Sequence, residues 1–308
     1  MIDILLGCIL DLIFGDPYWF PHPVKFMGKL IAFEEKISRR LFRGNGLYFA
    51  GFLIVLINIS LAYFIPFYIL KALRFNKYIY HAVNIFFIYT LVAARSLRDE
   101  AFKVFKALNI SLDEARYRLS FIVGRDTKNL EEKEIIRATV ETVAENTSDG
   151  VIAPIFFLIF GTPLGFVYKM VNTMDSMLGY MKEEYRYIGF FPAKTDDIFN
   201  FIPARITGFL MILSGIFNYD IKYALKIMIR DRKNHKSPNC AYPEGAAAGL
   251  LKVRLGGDNY YFGELVKKPT IGDAVRELEK EDILKTIKIM FRTEFLFLII
   301  SLILSFWI

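Results

Sequence analysis

The stretch 47–73 constrains this chain most, because it is an apolar run long enough to cross the roughly 30 Å hydrocarbon core of a bilayer as a helix. Backbone in lipid must satisfy its own hydrogen bonds, so such a run folds as helix. A second run, 78–94, follows a short connection containing Arg74 and Lys77, and the two read as a helical hairpin. Shorter or broken runs lie at 151–171, 199–217 and 295–308. The run 2–14 has Asp3 where a signal peptide is basic and Asp11 within it, so it reads as a retained span or interfacial helix. The expected fold is all-α: a polytopic integral membrane protein, multi-pass in the cell membrane, with 1–308 as a single membrane-embedded domain.

Between the apolar runs lie two polar insertions, about 95–150 and 218–292. The first reads as amphipathic helices at 99–108, 112–121 and 130–145, and the second ends in a charged helix at 271–290. Net charge +7 spread over segments of both signs fits a positive-inside bias and an anionic substrate, and no basic-aromatic motif points to nucleic acid. Cys8 and Cys240 form no CxxC pair, so neither a disulfide scaffold nor a zinc site is expected. No GxxxxGK[ST] loop is present, which argues against a P-loop nucleotide site.

The chemistry gathers at 137–153, RATVETVAENTSDGVIA, where Glu141, Glu145 and Asp149 recur every four residues along one helix face. Like charges at that spacing repel, so they call for a divalent cation or a cationic substrate among them, with Arg137 one turn earlier as a partner. Asn146 adds an amide oxygen, a donor set that suits magnesium or the phosphates of a nucleotide. The apolar segment that follows is broken at Gly161-Thr162-Pro163, as either one kinked span or a re-entrant pair. It carries Lys169, Asn172 and Asp175 at three-residue spacing, a functional hypothesis for ionisable groups at membrane depth.

Asp196 and Asp197, followed by Arg205, form a possible second metal-and-phosphate edge. From residue chemistry, Glu145, Asp149, Asp175, Asp196 and Asp197 are candidate metal ligands, and Arg125, Lys169 and Arg205 candidate clamps for phosphate or carboxylate. Asp16 and His22 share a loop stiffened by Pro21 and Pro23, which can equally be an interfacial turn anchored by Tyr18, Trp19 and Phe20. Glu244 begins a small-residue stretch that allows close backbone approach to a ligand or another helix. A general base is open among Asp16, His22 and Glu244.

Six collinear blocks resemble the adenosylcobinamide-phosphate synthases of cobalamin biosynthesis, also called cobinamide synthases. They are GDPYWFPHPV from Gly15, SFIVGRDT from Ser120, ETVAENTSDGVIAP from Glu141, YKMVNTMDSMLGY from Tyr168, DDIFNFIPARIT from Asp196 and SPNCAYPEGAAAGLL from Ser237. The resemblance implies ATP-dependent amide ligation between a propionate of adenosylcobyric acid and aminopropanol or its O-phosphate. ATP would be cosubstrate and magnesium its screening cation, with the corrinoid, the amino alcohol, the lipid bilayer and other cobalamin-assembly enzymes as partners. The alternatives are an ion-coupled transporter, against which no inverted repeat is visible, and a membrane phosphotransferase, whose D-x-x-D-G arrangement is not found.

Overall fold

The computed structural model describes residues 1–17, 19, 21–180, 182–261 and 263–306. Tyr18 and Phe20, two of the three expected aromatic anchors, lie outside the described residues, as do the last two positions of the 295–308 run; Trp19 is exposed. In chain order the helices are α1 (Ile2–Phe14), α2 (Pro23–Leu41), α3 (Gly46–Ala72), α4 (Lys77–Tyr89), α5 (Ala94–Ala107), α6 (Leu112–Leu119) and α7 (Glu132–Asn146). A π-helical stretch, Thr147–Ile152, leads into α8 (Ala153–Ile159), α9 (Thr162–Leu178), α10 (Phe190–Phe199), α11 (Phe201–Ser214), α12 (Ile221–Asp231), α13 (Ala241–Leu251) and α14 (Glu281–Leu304). Two short antiparallel ribbons, unforeseen in the sequence, pair β1 (Leu255–Gly256) with β4 (Thr270–Ile271) and β2 (Asn259–Tyr261) with β3 (Glu264–Val266). They carry few residues, so the chain is all-α in class.

The chain divides into two compact units. The first comprises 1–93 and 153–200, the second 94–152 and 201–308.

In the first unit α3 packs on α9, α2 lies on both, and α1 packs on α4. Close approach depends on glycine: a Cβ on Gly51 would meet the Ile188 carbonyl oxygen at 2.3 Å, and one on Gly7 would meet Ile88 Cγ2 at 2.4 Å. Polar clasps hold the same contacts. Asp3 of α1 accepts from His81 Nδ1 at 2.9 Å and Asn84 Nδ2 at 2.7 Å on α4, and Thr162 Oγ1 donates to Asn84 Oδ1 at 2.6 Å. The break at 161–163 is resolved as a fold-back, because the Phe157 and Tyr168 rings stack with centroids 5.1 Å apart, a separation an uninterrupted helix could not give eleven residues on. Gly161 takes φ 127°, open to glycine alone.

The second unit is built from the polar segments. α5 and α6 close over α7 around Val104, Ala107, Leu119, Ile135 and Ala138. The expected helices at 99–108, 112–121 and 130–145 are present with shifted ends.

Two expectations require correction and one holds. The run 78–94 is helical only to Tyr89, and 13 residues rise about 20 Å, too short to span. The run 151–171, expected to be broken at 161–163, is broken there: Gly161 and Pro163 end one helix and start another, after a short π-helical stretch. The charged helix expected at 271–290 starts at Glu281 and continues to Leu304, since 270–271 is taken into the β1–β4 ribbon. Among the described residues one helical stretch, Gly46–Phe75, is long and apolar enough to cross a membrane, and α10 with α11 adds a second only if the pair counts as one span.

Replacement of Gly51 by Ala should lower the thermal midpoint of the purified protein, by about 1–3 kcal/mol in stability, because the new methyl group meets backbone that cannot rotate away. An unchanged unfolding curve would show that α3 does not approach the Ile188 backbone this closely.

Candidate functional site

α7 starts from a reciprocal capping box between Glu131 and Glu134, which fixes its first turn. One face then packs on α5 and α6, and another, bearing Glu141 and Glu145, meets α13 and β1. α13 is buried at every position but Tyr242, which is half-buried. Its small residues serve helix packing: a Cβ on Gly249 would lie 2.5 Å from Ala224 Cα of α12, and one on Gly245 would lie 3.1 Å from Met228 Cα. This tight seat holds Glu244, 5% exposed, within electrostatic reach of Glu141 and Glu145.

Glu141, 4% exposed, is the hub of the site. Its Oε2 accepts from Arg125 Nη2 at 2.5 Å, and its Oε1 accepts the Gly256 backbone N–H at 2.7 Å. Arg137 Nε lies 3.8 Å from Oε1, one turn earlier on α7. The Asn259 side chain bridges the two guanidinium groups: its Oδ1 accepts from Arg125 Nη1 at 2.8 Å and Arg137 Nη2 at 3.1 Å, while its Nδ2 donates to the Gly257 carbonyl at 3.0 Å. Gly256 and Gly257 have φ of 72° and 83°, so glycine is needed to aim the amide at Glu141. Asp126, next to Arg125, secures the β2–β3 ribbon, because its N–H donates to the Tyr260 carbonyl and its Oδ2 accepts the Gly263 N–H.

Glu145 and Asp149 stand half-buried one turn and two turns beyond Glu141. The Cys240 thiol donates to Glu145 Oε1 at 3.0 Å; among the described residues Oε2 has no hydrogen-bond partner. Asp149 lies within the π-helical stretch, a geometry that recurs at functional sites. Asn146 donates to the Thr142 carbonyl at 2.9 Å. Arg205 stacks between the rings of Phe201 and Tyr242 and donates to Asn239 Oδ1 at 3.3 Å.

Burial and charge set the protonation states. Burial first, and then the charges of Glu141 and Glu145, push the Glu244 carboxyl well above the ordinary glutamate value. Burial, then the nearby Glu145 and Asp149 carboxylates, likewise push the Cys240 thiol well up, so it is a neutral donor, not a nucleophile. Burial opposes the charge on Arg125, but Glu141 outweighs it and holds the guanidinium firmly charged. Burial lowers His235, partly offset by Glu145, and its Nδ1 accepts the Ser237 N–H at 3.1 Å.

The remaining sequence candidates lie in the first unit. His22 Nε2 faces Asp16 Oδ1 at 3.3 Å while its Nδ1 accepts the Val24 N–H, so the neutral ring carries its proton on Nε2. Asp196 accepts from Asn200 Nδ2 at 2.9 Å, and Asn200 in turn accepts from the Tyr168 hydroxyl. Asp197 accepts from Lys194 at 3.1 Å, and Lys169 and Asp175 are half-buried on α9. Among the described residues no group of three or more His, Cys, Asp or Glu side chains is set to hold a metal. Asn259, Gly256 and Cys240 were not singled out from sequence. The Gly-Gly-Asp-Asn turn was the one signal for the first two; nothing local marks Cys240.

Fold and site define a class: an α-helical protein with an internal polar site of paired carboxylates, guanidinium groups and amides. The chain belongs to the CobD/CbiB family, whose model, described as CobD/Cbib protein, matches residues 4–290, and with it goes a role in cobalamin biosynthesis. It is 56% identical over 308 residues to "Cobalamin biosynthesis protein CobD" of Clostridium acetobutylicum, covering 98% of each chain. It is 45% identical over 295 residues to "Cobalamin biosynthesis protein CbiB" of Salmonella typhimurium, covering 93% of this chain and 92% of that one. No solved structure matches.

Two outcomes are expected. Arg125→Met should cost about 3–5 kcal/mol by stranding the Glu141 charge, and adding Glu141→Leu should restore much of it, read by denaturant unfolding. Because the folded Glu244 keeps a proton that the unfolded chain has released, stability should fall as pH rises above 4.5 and through the raised value; Glu244→Gln should flatten that decline in thermal midpoint between pH 5 and 9.

Proposed function

We propose that this protein is an ATP-dependent amide ligase of cobalamin biosynthesis, multi-pass in the cell membrane, which joins aminopropanol or its O-phosphate to a propionate of adenosylcobyric acid. The product is adenosylcobinamide or its phosphate. One observation carries the reading: a hydrogen-bonded set of two guanidinium groups and an amide around Glu141, beside a Glu145 carboxylate with one oxygen unengaged among the described residues. Membership of a cobalamin-biosynthesis family supports the pathway.

Joining a carboxylate to an amine requires removal of a carboxylate oxygen, and ATP supplies the means. A propionate oxygen attacks the γ-phosphorus and ADP leaves; the amine then attacks the acyl carbon, inorganic phosphate leaves, and the amine gives up a proton. Arg125 and Arg137 suit the anionic partners of such a step, since fixed cations in a water-poor site favour charge developing on phosphoryl and carboxyl oxygens. Arg205, braced between two rings, presents a third guanidinium. Glu145 is the favoured acceptor for the ammonium or its proton, because Glu244 is held protonated and the His22 Nδ1 lone pair is taken by the Val24 N–H.

Magnesium is usually held by one or two carboxylates together with substrate phosphates and water, not by an all-protein cage. Glu145 and Asp149 fit that demand on α7 and the stretch after it, whereas Glu141 is already committed to Arg125 and Gly256. Bound there, the ion would screen the phosphates of ATP. Asp175, Asp196 and Asp197 remain candidate ligands on residue type alone.

Glu145→Gln should abolish turnover while the protein stays folded and membrane-associated, since the amide keeps the shape and loses the charge. The assay is mass spectrometry of amide product and ADP from purified protein with ATP, magnesium, adenosylcobyric acid and either amine. Full activity in the variant would remove Glu145 from the reaction. ADP release without corrinoid dependence would remove the ligase, and hydroxylamine should trap the acyl phosphate as a hydroxamate.

A further inference from the structure

Where α11 ends and α12 begins, the second unit has an open cleft of about 710 Å³ that plays no part in the site around Glu141. Its walls carry Lys252, Arg276, Lys285, Lys288 and Arg292, against Asp220 as the one acidic lining residue. Some of this charge is balanced: Lys252 lies 3.6 Å from Asp220, and buried Asp282 holds Arg276 at 2.6 Å and Lys285 at 2.9 Å. These pairs fix the side chains in place. Two cations face solvent without an acidic partner among the described residues: Lys288 is exposed, and Arg292 is exposed and donates only to the neutral Asn218 Oδ1 at 2.6 Å.

The polar neighbours offer donors to an anion. Tyr219 lines the cleft with its hydroxyl held above the ordinary tyrosine value by burial, so it stays protonated. The apolar surroundings indicate where that anion comes from. α11 and α14 pack together, and both lead away from the cleft in exposed apolar residues, Leu213 and Phe209 on one and Phe295, Ile299 and Ile303 on the other, while Ile216 and 93%-exposed Phe217 stand in the cleft wall itself. Lys285, Lys288 and Arg292 occupy one stripe of α14 immediately before that apolar half. A cationic cleft bordering exposed apolar helix surface has the amphipathic profile of a bilayer boundary, with cations at headgroup depth.

We propose that this cleft binds the phosphate headgroup of an anionic phospholipid, with Lys288 and Arg292 as its principal contacts and the acyl chains along the exposed apolar ends of α11 and α14. The inference rests on the reading that these ends lie in a membrane. The headgroup would anchor the second unit at the membrane surface through a site separate from the Glu141 cluster.

The test uses the full chain purified in mild detergent and probed by native mass spectrometry with dioleoyl phosphatidylglycerol, dioleoyl phosphatidylcholine or soluble glycerol 3-phosphate. Phosphatidylglycerol should be retained and should raise the thermal midpoint, phosphatidylcholine should do neither, and Lys288→Glu with Arg292→Glu should weaken retention roughly thirtyfold, at about five- to sixfold per cation. Both positions are exposed, so the double variant should fold; near-native unfolding without lipid verifies that. Equal retention of both lipids, or undiminished retention by the double variant, overturns the proposal. Glycerol 3-phosphate binding as tightly as the lipid assigns the cleft to a soluble phosphate ester and overturns it too. Carbonate extraction of the source membranes distinguishes the failures: a chain that resists extraction yet retains no phosphatidylglycerol refutes the lipid site alone, whereas a chain that is extracted refutes the membrane reading beneath it.

Discussion

The pairing of Glu141 with Arg125 is the interaction around which the second unit is organised. A buried carboxylate is costly unless its charge is matched and its lone pairs are filled, and both conditions are met from different parts of the chain. Arg125 comes from the segment after α6, Gly256 from β1 and Asn259 from β2. Each must reach the same face of α7, so satisfying one charge positions three connections that otherwise have little secondary structure to hold them. The short ribbons exist for this purpose more than for their own hydrogen bonds, since strands of two or three residues contribute little stability by themselves.

Clustering acids within one network makes them unequal. Glu141 is matched by cations, Glu145 is hydrogen-bonded by a neutral thiol, and Glu244, buried between their fields, holds its proton. Environments that push identical groups apart in proton affinity divide donor from acceptor roles, and here a single residue type fills three roles across a pair of packed helices. The Cys240 thiol takes part as a donor because burial, and then the surrounding carboxylates, keep it from ionising.

The first unit is held by a different principle. Its helices approach through glycine, at Gly7, Gly51 and Gly165, and are clasped by few polar groups, among them Asp3, Asn84 and Thr162. Small residues at helix contacts let backbones approach closely, so that dispersion and interhelical hydrogen bonds contribute at the contact.

Much of this was legible before any coordinates. The 47–73 run required a long helix because nothing else satisfies so many consecutive backbone groups in an apolar setting, and the four-residue recurrence of Glu141, Glu145 and Asp149 marked a helix face loaded with like charge. Gly161 and Pro163 announced a break because one opens positive φ and the other cannot continue a helix interior. Local chemistry acts over a few residues, and these signals are local. Only the tertiary structure decided that the break is a fold-back, that Glu141 faces an arginine sixteen residues earlier and a glycine amide 115 residues later, and that Cys240 and Asn259 belong to the same network. Partner choice for a buried charge depends on which distant segments share its desolvated volume, and periodicity carries no record of that.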